Sequence, residues 1–125
     1  MKKFNSIDEA LASQDFDPAQ VKITGVPEQH LKAVEAFVKL CVAHDAVNSE
    51  FVPDFSNSNQ RKYSNYFYPG SPSGVGFSFD DCVRWNSDSG VGARLVSESS
   101  EASNHIAEIC QNEYKNLMVY ERKIK

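Results

Sequence analysis

The side chains with the most reactive chemistry in this sequence are Cys41, Cys82 and Cys110, His30, His44 and His105, and the adjacent carboxylates Asp80 and Asp81. A cysteine nucleophile works as its thiolate and needs a nearby base to form it. Cys82 follows two carboxylates, which raise a thiol's pKa and oppose activation. A Cys82–His105 pair brought together by the fold is the arrangement that would rescue it. Cys41 and Cys110 fall on apolar faces of predicted helices, where cysteine packs as a small hydrophobe. Asp80 and Asp81 are consecutive on a predicted strand, so they point to opposite faces and form no acid–base dyad by themselves. Catalysis would need a distant second acid such as Asp88 or Glu98. No histidine lies at metal-ligand spacing from another histidine or a cysteine. The two copies of "GVG" lack the Gly-Lys-Ser/Thr of a phosphate loop. The expectation is a protein that is not an enzyme and carries no metal or cofactor.

The second concentration of chemistry is aromatic. Between Lys62 and Trp85 stand Tyr63, Tyr66, Phe67, Tyr68, Phe77 and Phe79, with the single tryptophan closing the segment. Alternation from Val75 to Trp85 places Val75, Phe77, Phe79, Val83 and Trp85 on one face, which reads as core. Asp81 interrupts that face, so a bulge or bend is expected there. In "KYSNYFY" both faces carry rings, and only one can be buried against helices. Exposed tyrosine with a cation is the composition of a protein-binding hot spot. It also suits single-stranded nucleic acid, with bases on rings and phosphates on cations. The candidate binding residues are Lys62, Tyr63, Tyr66, Phe67, Tyr68, Asp80, Asp81 and Arg84. A small aromatic cluster under the loop 48–60 is the competing structural explanation.

The elements that position these residues follow from local signals. Ser6 with Glu9 is a capping-box pattern and predicts a short first helix. Asp17-Pro18 and Thr24-Gly25 bound a connector. A long helix is predicted from Pro27 to Asn48, with Leu31, Val34, Phe37, Val38, Cys41 and Val42 as its apolar stripe. Residues 48–60 are rich in Asn and Ser and read as a loop. "RKYSNYFY", Val75–Trp85 and "VGARLVS" read as strands of a three-stranded antiparallel meander. Ser99 or Ser100 caps a last helix, with Ala102, Ile106, Ile109, Cys110 and Leu117 buried. Arg122, Lys123 and Lys125 suit the negative end of its dipole. The fold class is α+β, with the meander packed against a long N-terminal-half helix and a C-terminal helix. Residues 1–26 are the N-terminal helix and connector, and 27–125 a single domain.

At 125 residues, with 41% hydrophobic and 24% charged content, the chain has the composition of one globular domain. Its formal charge of −4 gives no overall basic footprint for nucleic acid and suits a basic partner. An odd number of scattered cysteines fits a reducing compartment. No stretch resembles a signal peptide or membrane span, so the expected location is the cytoplasm.

Lys62-Tyr63 with Tyr66-Phe67, then Gly76-Phe77-x-Phe79, Trp85, Val91-Gly92-x-Arg94-Leu95 and Ser99-Ser100-Glu101 together resemble a family. It comprises small, mostly uncharacterised proteins of phages, prophages and mobile elements in anaerobic gut bacteria. The resemblance covers roughly the C-terminal half. The family pattern often has proline where this chain has Asn65, and a basic residue where it has Glu98. The resemblance implies a mobile-element accessory protein in a bacterial host cell and carries over no catalytic residues. With size and charge, it leads to the expectation of a non-catalytic protein that binds a host or phage protein with a basic nucleic-acid-binding surface. An inhibitor of a defence system such as a CRISPR effector is the narrow form of that expectation. The alternative is a single-stranded nucleic-acid binder for phage replication or recombination.

Overall fold

A computed structural model describes residues 1–124; Lys125 lies outside the described residues. The elements run α1 (Ile7–Ser13), a 3-10 turn (Pro18–Gln20), α2 (Glu28–Val47), β1 (Lys62–Tyr68), β2 (Ser78–Trp85), α3 (Ser100–Ile109) and α4 (Gln111–Met118). The class is α+β, with the strands paired antiparallel in a two-stranded sheet.

α1 and α3 begin at serine caps, whereas α2 and α4 start without a side-chain cap. Ser6 Oγ accepts from the Glu9 N–H at 3.2 Å, and the Glu9 carboxylate reaches back to the Asn5 N–H. That is the reciprocal logic of a capping box, displaced by one residue on the return. Pro27 precedes α2, and the Asn48 N–H closes its C-terminal end on the His44 carbonyl. Ser99 Oγ accepts from the Ala102 N–H and opens α3. The expected single last helix is two, because Cys110 leaves helical geometry at φ −112°, ψ 20°. Arg122 and Lys123 lie beyond the end of α4 rather than in its last turn.

The apolar face of α2 is not the one its largest hydrophobes suggest. Ala36, Leu40, Ala43, His44, Ala46 and Val47 are buried, whereas Leu31, Val34, Phe37, Val38, Cys41 and Val42 are only half-buried. The alanines let neighbouring elements approach closely. The main core joins Leu40, Ala43 and Val47 of α2 to Phe67, Leu95, Ala102, Ile106, Ala107, Cys110 and Tyr114. α1 packs on α2 and buries Ala10 and Leu11 fully. Ahead of it, the Lys2 N–H donates to the Val47 carbonyl at 2.9 Å, and the Phe4 N–H to His105 Nε2 at 3.0 Å.

β2 is shorter than expected, starting at Ser78. Residues 70–77 close on themselves, with the Ser71 N–H bonded to the Val75 carbonyl at 2.9 Å. Gly70 has φ +77°, and a Cβ there would stand 2.3 Å from the Val75 carbonyl oxygen. Only glycine fits that turn. The anticipated bulge is present: Tyr66 opposes Asp81 and Phe67 opposes Phe79, leaving Asp80 as the extra residue. It divides the aromatic set. Phe77 and Phe79 pack on Phe67 at 5.3 and 5.4 Å between ring centroids. Trp85, beyond the bulge, joins the face of Tyr66, with ring centroids 6.4 Å apart.

The expected third strand does not form. Residues 91–94 turn, and the Leu95 N–H bonds the Gly92 carbonyl at 2.8 Å instead of a neighbouring strand. Glycines at 90 and 92 weaken a strand by their backbone freedom. Among the described residues only the Tyr63–Ser97 bridge remains, with N···O distances of 3.0 and 2.8 Å.

Candidate functional site

The groove beside β1

In an antiparallel pair, backbone groups of alternate residues face opposite sides. Tyr63 gives both its N–H and its C=O to Ser97, on the side of β1 away from β2. The same alternation turns the backbone groups of Asn65 and Phe67 to that outer edge, and those of Ser64 and Tyr66 toward β2. Along this edge runs a groove of about 600 Å³. Its floor is Asn65, Phe67, Tyr114 and Leu95; α2 and α4 contribute Phe37, Leu117 and Met118; the far wall is Tyr66, Trp85 and the turn Ser89–Gly92. Tyr66 is 45% exposed, Met118 37%, and Val91 stands entirely free at the rim. The lining is mostly apolar, with the polar atoms confined to a few places, the usual make-up of a binding cleft.

The polar chain behind its floor

Behind the floor lies a chain of hydrogen bonds. Ser103 Oγ donates to Asn65 Oδ1 at 2.6 Å, Asn65 Nδ2 to the Tyr114 hydroxyl at 3.4 Å, and that hydroxyl to His44 Nε2 at 3.4 Å. His44 Nδ1 sits 2.7 Å from the Leu40 carbonyl. A carbonyl only accepts, so Nδ1 carries the proton and Nε2 is the acceptor. Every bond then runs in one direction with neutral imidazole. Burial pushes the His44 pKa down to about 4 and outweighs the Leu40 bond, which acts upward. Burial likewise pushes the Tyr114 hydroxyl well above its usual range. The chain fixes the register of β1 against α2, α3 and α4.

Where the candidate residues lie

Lys62 is fully buried, and its ammonium donates to the carbonyls of Asn57, Gln60 and Asn86 at 3.1, 2.9 and 2.6 Å, with the Phe55 ring 5.0 Å away. Phe67 is core. Tyr66 and Tyr68 are exposed on one face of β1. Asp81 is Tyr66's cross-strand neighbour and accepts from the Cys82 N–H at 2.8 Å; Asp80 is exposed at the bulge. Tyr63 is half-buried, and Arg84 opposite it is exposed on the other face from Tyr66. The structure therefore gathers Tyr66, Tyr68 and Asp81 on one face, buries Lys62 at the end of that same face, and puts Phe67 and Arg84 on the other.

Trp85, Val91, Phe37, Leu117 and Met118 are the groove residues that sequence reading missed. Strict alternation places the tryptophan with Phe77 and Phe79, but the bulge at Asp80 turns it to the face of Tyr66. No alternating pattern announces the rest, which come from α2, α4 and a turn.

The thiols follow one rule. Burial raises the pKa of Cys41, of Cys82, where Asp81 adds to it, and of Cys110, pushed up to about 12. Among the described residues no cluster of three His, Cys, Asp or Glu side chains could hold a metal, and no helix is long and apolar enough to cross a membrane. Compared with protein-family models, curated proteins and solved structures, the chain matches none.

Proposed function

We propose that this protein acts by binding another protein, without catalysis, and that the groove beside β1 is its contact surface. The observation that carries the reading is an apolar cleft of about 600 Å³ rimmed by exposed Tyr66, Val91 and Met118. Aromatic and methionine side chains around a cleft are the composition of an interface core. The thiols, by contrast, are held in their neutral form. The narrow form of the proposal takes its setting from the resemblance: a phage or mobile-element accessory protein in a bacterial cell, inhibiting a nucleic-acid-targeting defence effector such as a CRISPR nuclease. The net charge of −4 favours a partner with a basic surface.

Single-stranded nucleic acid is the second reading. Tyr66 and Tyr68, exposed on one face, favour it; the position of Arg84 on the opposite face removes the cation that would meet the phosphates.

The test is retention of partners from a bacterial host lysate by the tagged chain, with and without nuclease, beside Trp85→Ala and Tyr66→Ser. A protein held after nuclease treatment, with retention lost in both variants, is the expected result. Loss of every partner on nuclease treatment would turn the assignment to nucleic acid.

A further inference from the structure

We infer that the groove takes its partner as an added β-strand: an extended segment, apolar–basic–apolar in sequence, that pairs with the free edge of β1 at Asn65 and Phe67. The inference rests on the protein-binding reading of this groove and names the form of the partner.

Three observations carry it. The edge lane is already in use, since Ser97 makes both backbone bonds of a ladder step with Tyr63. The next two steps, at Asn65 and Phe67, turn their N–H and C=O groups to the same side by alternation, and among the described residues no backbone group bonds them there, Leu95 bonding back to Gly92 instead. An incoming strand thus meets an edge whose donors and acceptors alternate at Asn65 and Phe67. Second, the cleft borders both faces of that edge. Partner residues opposite Asn65 and Phe67 stand on the helix side and meet Phe37, Leu117 and Met118, which calls for apolar side chains. Third, the residue between them stands opposite Tyr66 on the other face. Asp81 is the next residue across the sheet in that row. A lysine or arginine there lies over the Tyr66 ring and is directed toward the Asp81 carboxylate, a cation–π contact with charge complementarity behind it. Free edges are normally blunted by proline, charge or a covering element. Asn65 and Phe67 supply neither proline nor charge.

The experiment pans a displayed library of random dodecapeptides against the full chain. Enriched sequences are synthesised, and each peptide nitrogen is N-methylated in turn. Amide exchange of the protein is followed by NMR. Strand addition predicts enrichment of an apolar–Lys/Arg–apolar core. Methylation should weaken binding about tenfold or more at alternate positions and less than about twofold between them, since only every second N–H faces β1. The amides of Asn65 and Phe67 should slow on binding, while those of Ser64 and Tyr66, bonded to β2, are slow already. Enriched peptides that shift the Trp85 indole but tolerate methylation everywhere, with Asn65 and Phe67 exchanging as in the free chain, would overturn strand addition and leave the groove as the binding surface. Peptides that map elsewhere, such as the face of Lys32 and Lys115, would overturn both, as would failure to enrich any peptide.

Discussion

An ammonium group taken out of water must find oxygen atoms, and Lys62 finds three carbonyls, from both sides of its own strand end. Asn57 and Gln60 belong to the 48–60 loop and Asn86 to the chain after β2, so one side chain ties three segments. Replacing it leaves those carbonyls without their donor and the fully buried side chain's place without its charge. Lys62→Met is expected to cost about 3 kcal/mol. Exposed Lys32→Met should stay within about 0.5 kcal/mol. The midpoints of urea denaturation measure both; equal midpoints would contradict the assigned role. Residue type gave no warning of this. A lysine beside tyrosines has the composition of a surface contact, and only the loop folding over it makes it an interior one. The same holds for Asn65, whose amide bonds α3 and α4 through Ser103 and Tyr114.

At the scale of elements, β1 has two unlike edges. The N–H groups of Ser64 and Tyr66 serve the ladder with β2, and that of Asn65 faces the groove. Proline removes an N–H, so its cost depends on which edge it strikes. Ser64→Pro should break the pairing and lower stability by about 3 kcal/mol or more. Asn65→Pro should cost less, roughly 1–2 kcal/mol for its lost side-chain bonds. Thermal unfolding of the two variants checks the order, and the reverse order would overturn the register argument. The helices were legible because their caps are local: Ser6, Pro27 and Ser99 each stand where a helix begins. The sheet was legible in its two strands and not in its third. "VGARLVS" alternates as a strand should, yet Leu95 takes its hydrogen bond from Gly92, a choice between turn and ladder that alternation does not encode. The break at Cys110 was equally silent, since Ile106, Cys110 and Leu117 fit the stripe of one continuous helix.

Across the whole molecule, the helices and the sheet meet around His44. Burial keeps its folded pKa at about 4, below the value of about 6.5 expected in the unfolded chain. Between those values the unfolded chain binds a proton that the folded one refuses. Stability is therefore lost as the pH falls from about 6.5 through about 4, by on the order of 3 kcal/mol in total. Glu113 works in the other direction: burial raises its pKa, so its contribution is present in acid and fades as the pH rises through its folded value. Urea titrations at pH 7, 5.5 and 4.5 should show the wild type weakening toward acid. His44→Gln should be weaker at pH 7 but lack the loss between pH 6.5 and 5. An unchanged slope in the variant would remove His44 as the cause. None of this could be read from the sequence, where His44 is one polar residue in a helix whose buried side is lined by alanines with Leu40 and Val47 rather than by its stripe of larger hydrophobes. The groove was legible only in Tyr66 and Phe67; Tyr63 and Tyr68 lie outside its lining, and Tyr114 and the helix-borne wall gave no signal.

The enclosure of Lys62 also decides how the native chain meets a protease. Trypsin must draw a basic side chain into a deep pocket of its own. The bond after Lys62 is thus closed to it until β1 separates from the 48–60 loop. Exposed lysines such as Lys3, Lys22 and Lys123 face no such barrier. The Lys62–Tyr63 bond is a built-in reporter, cut at the rate at which the sheet end opens rather than the rate at which the enzyme arrives.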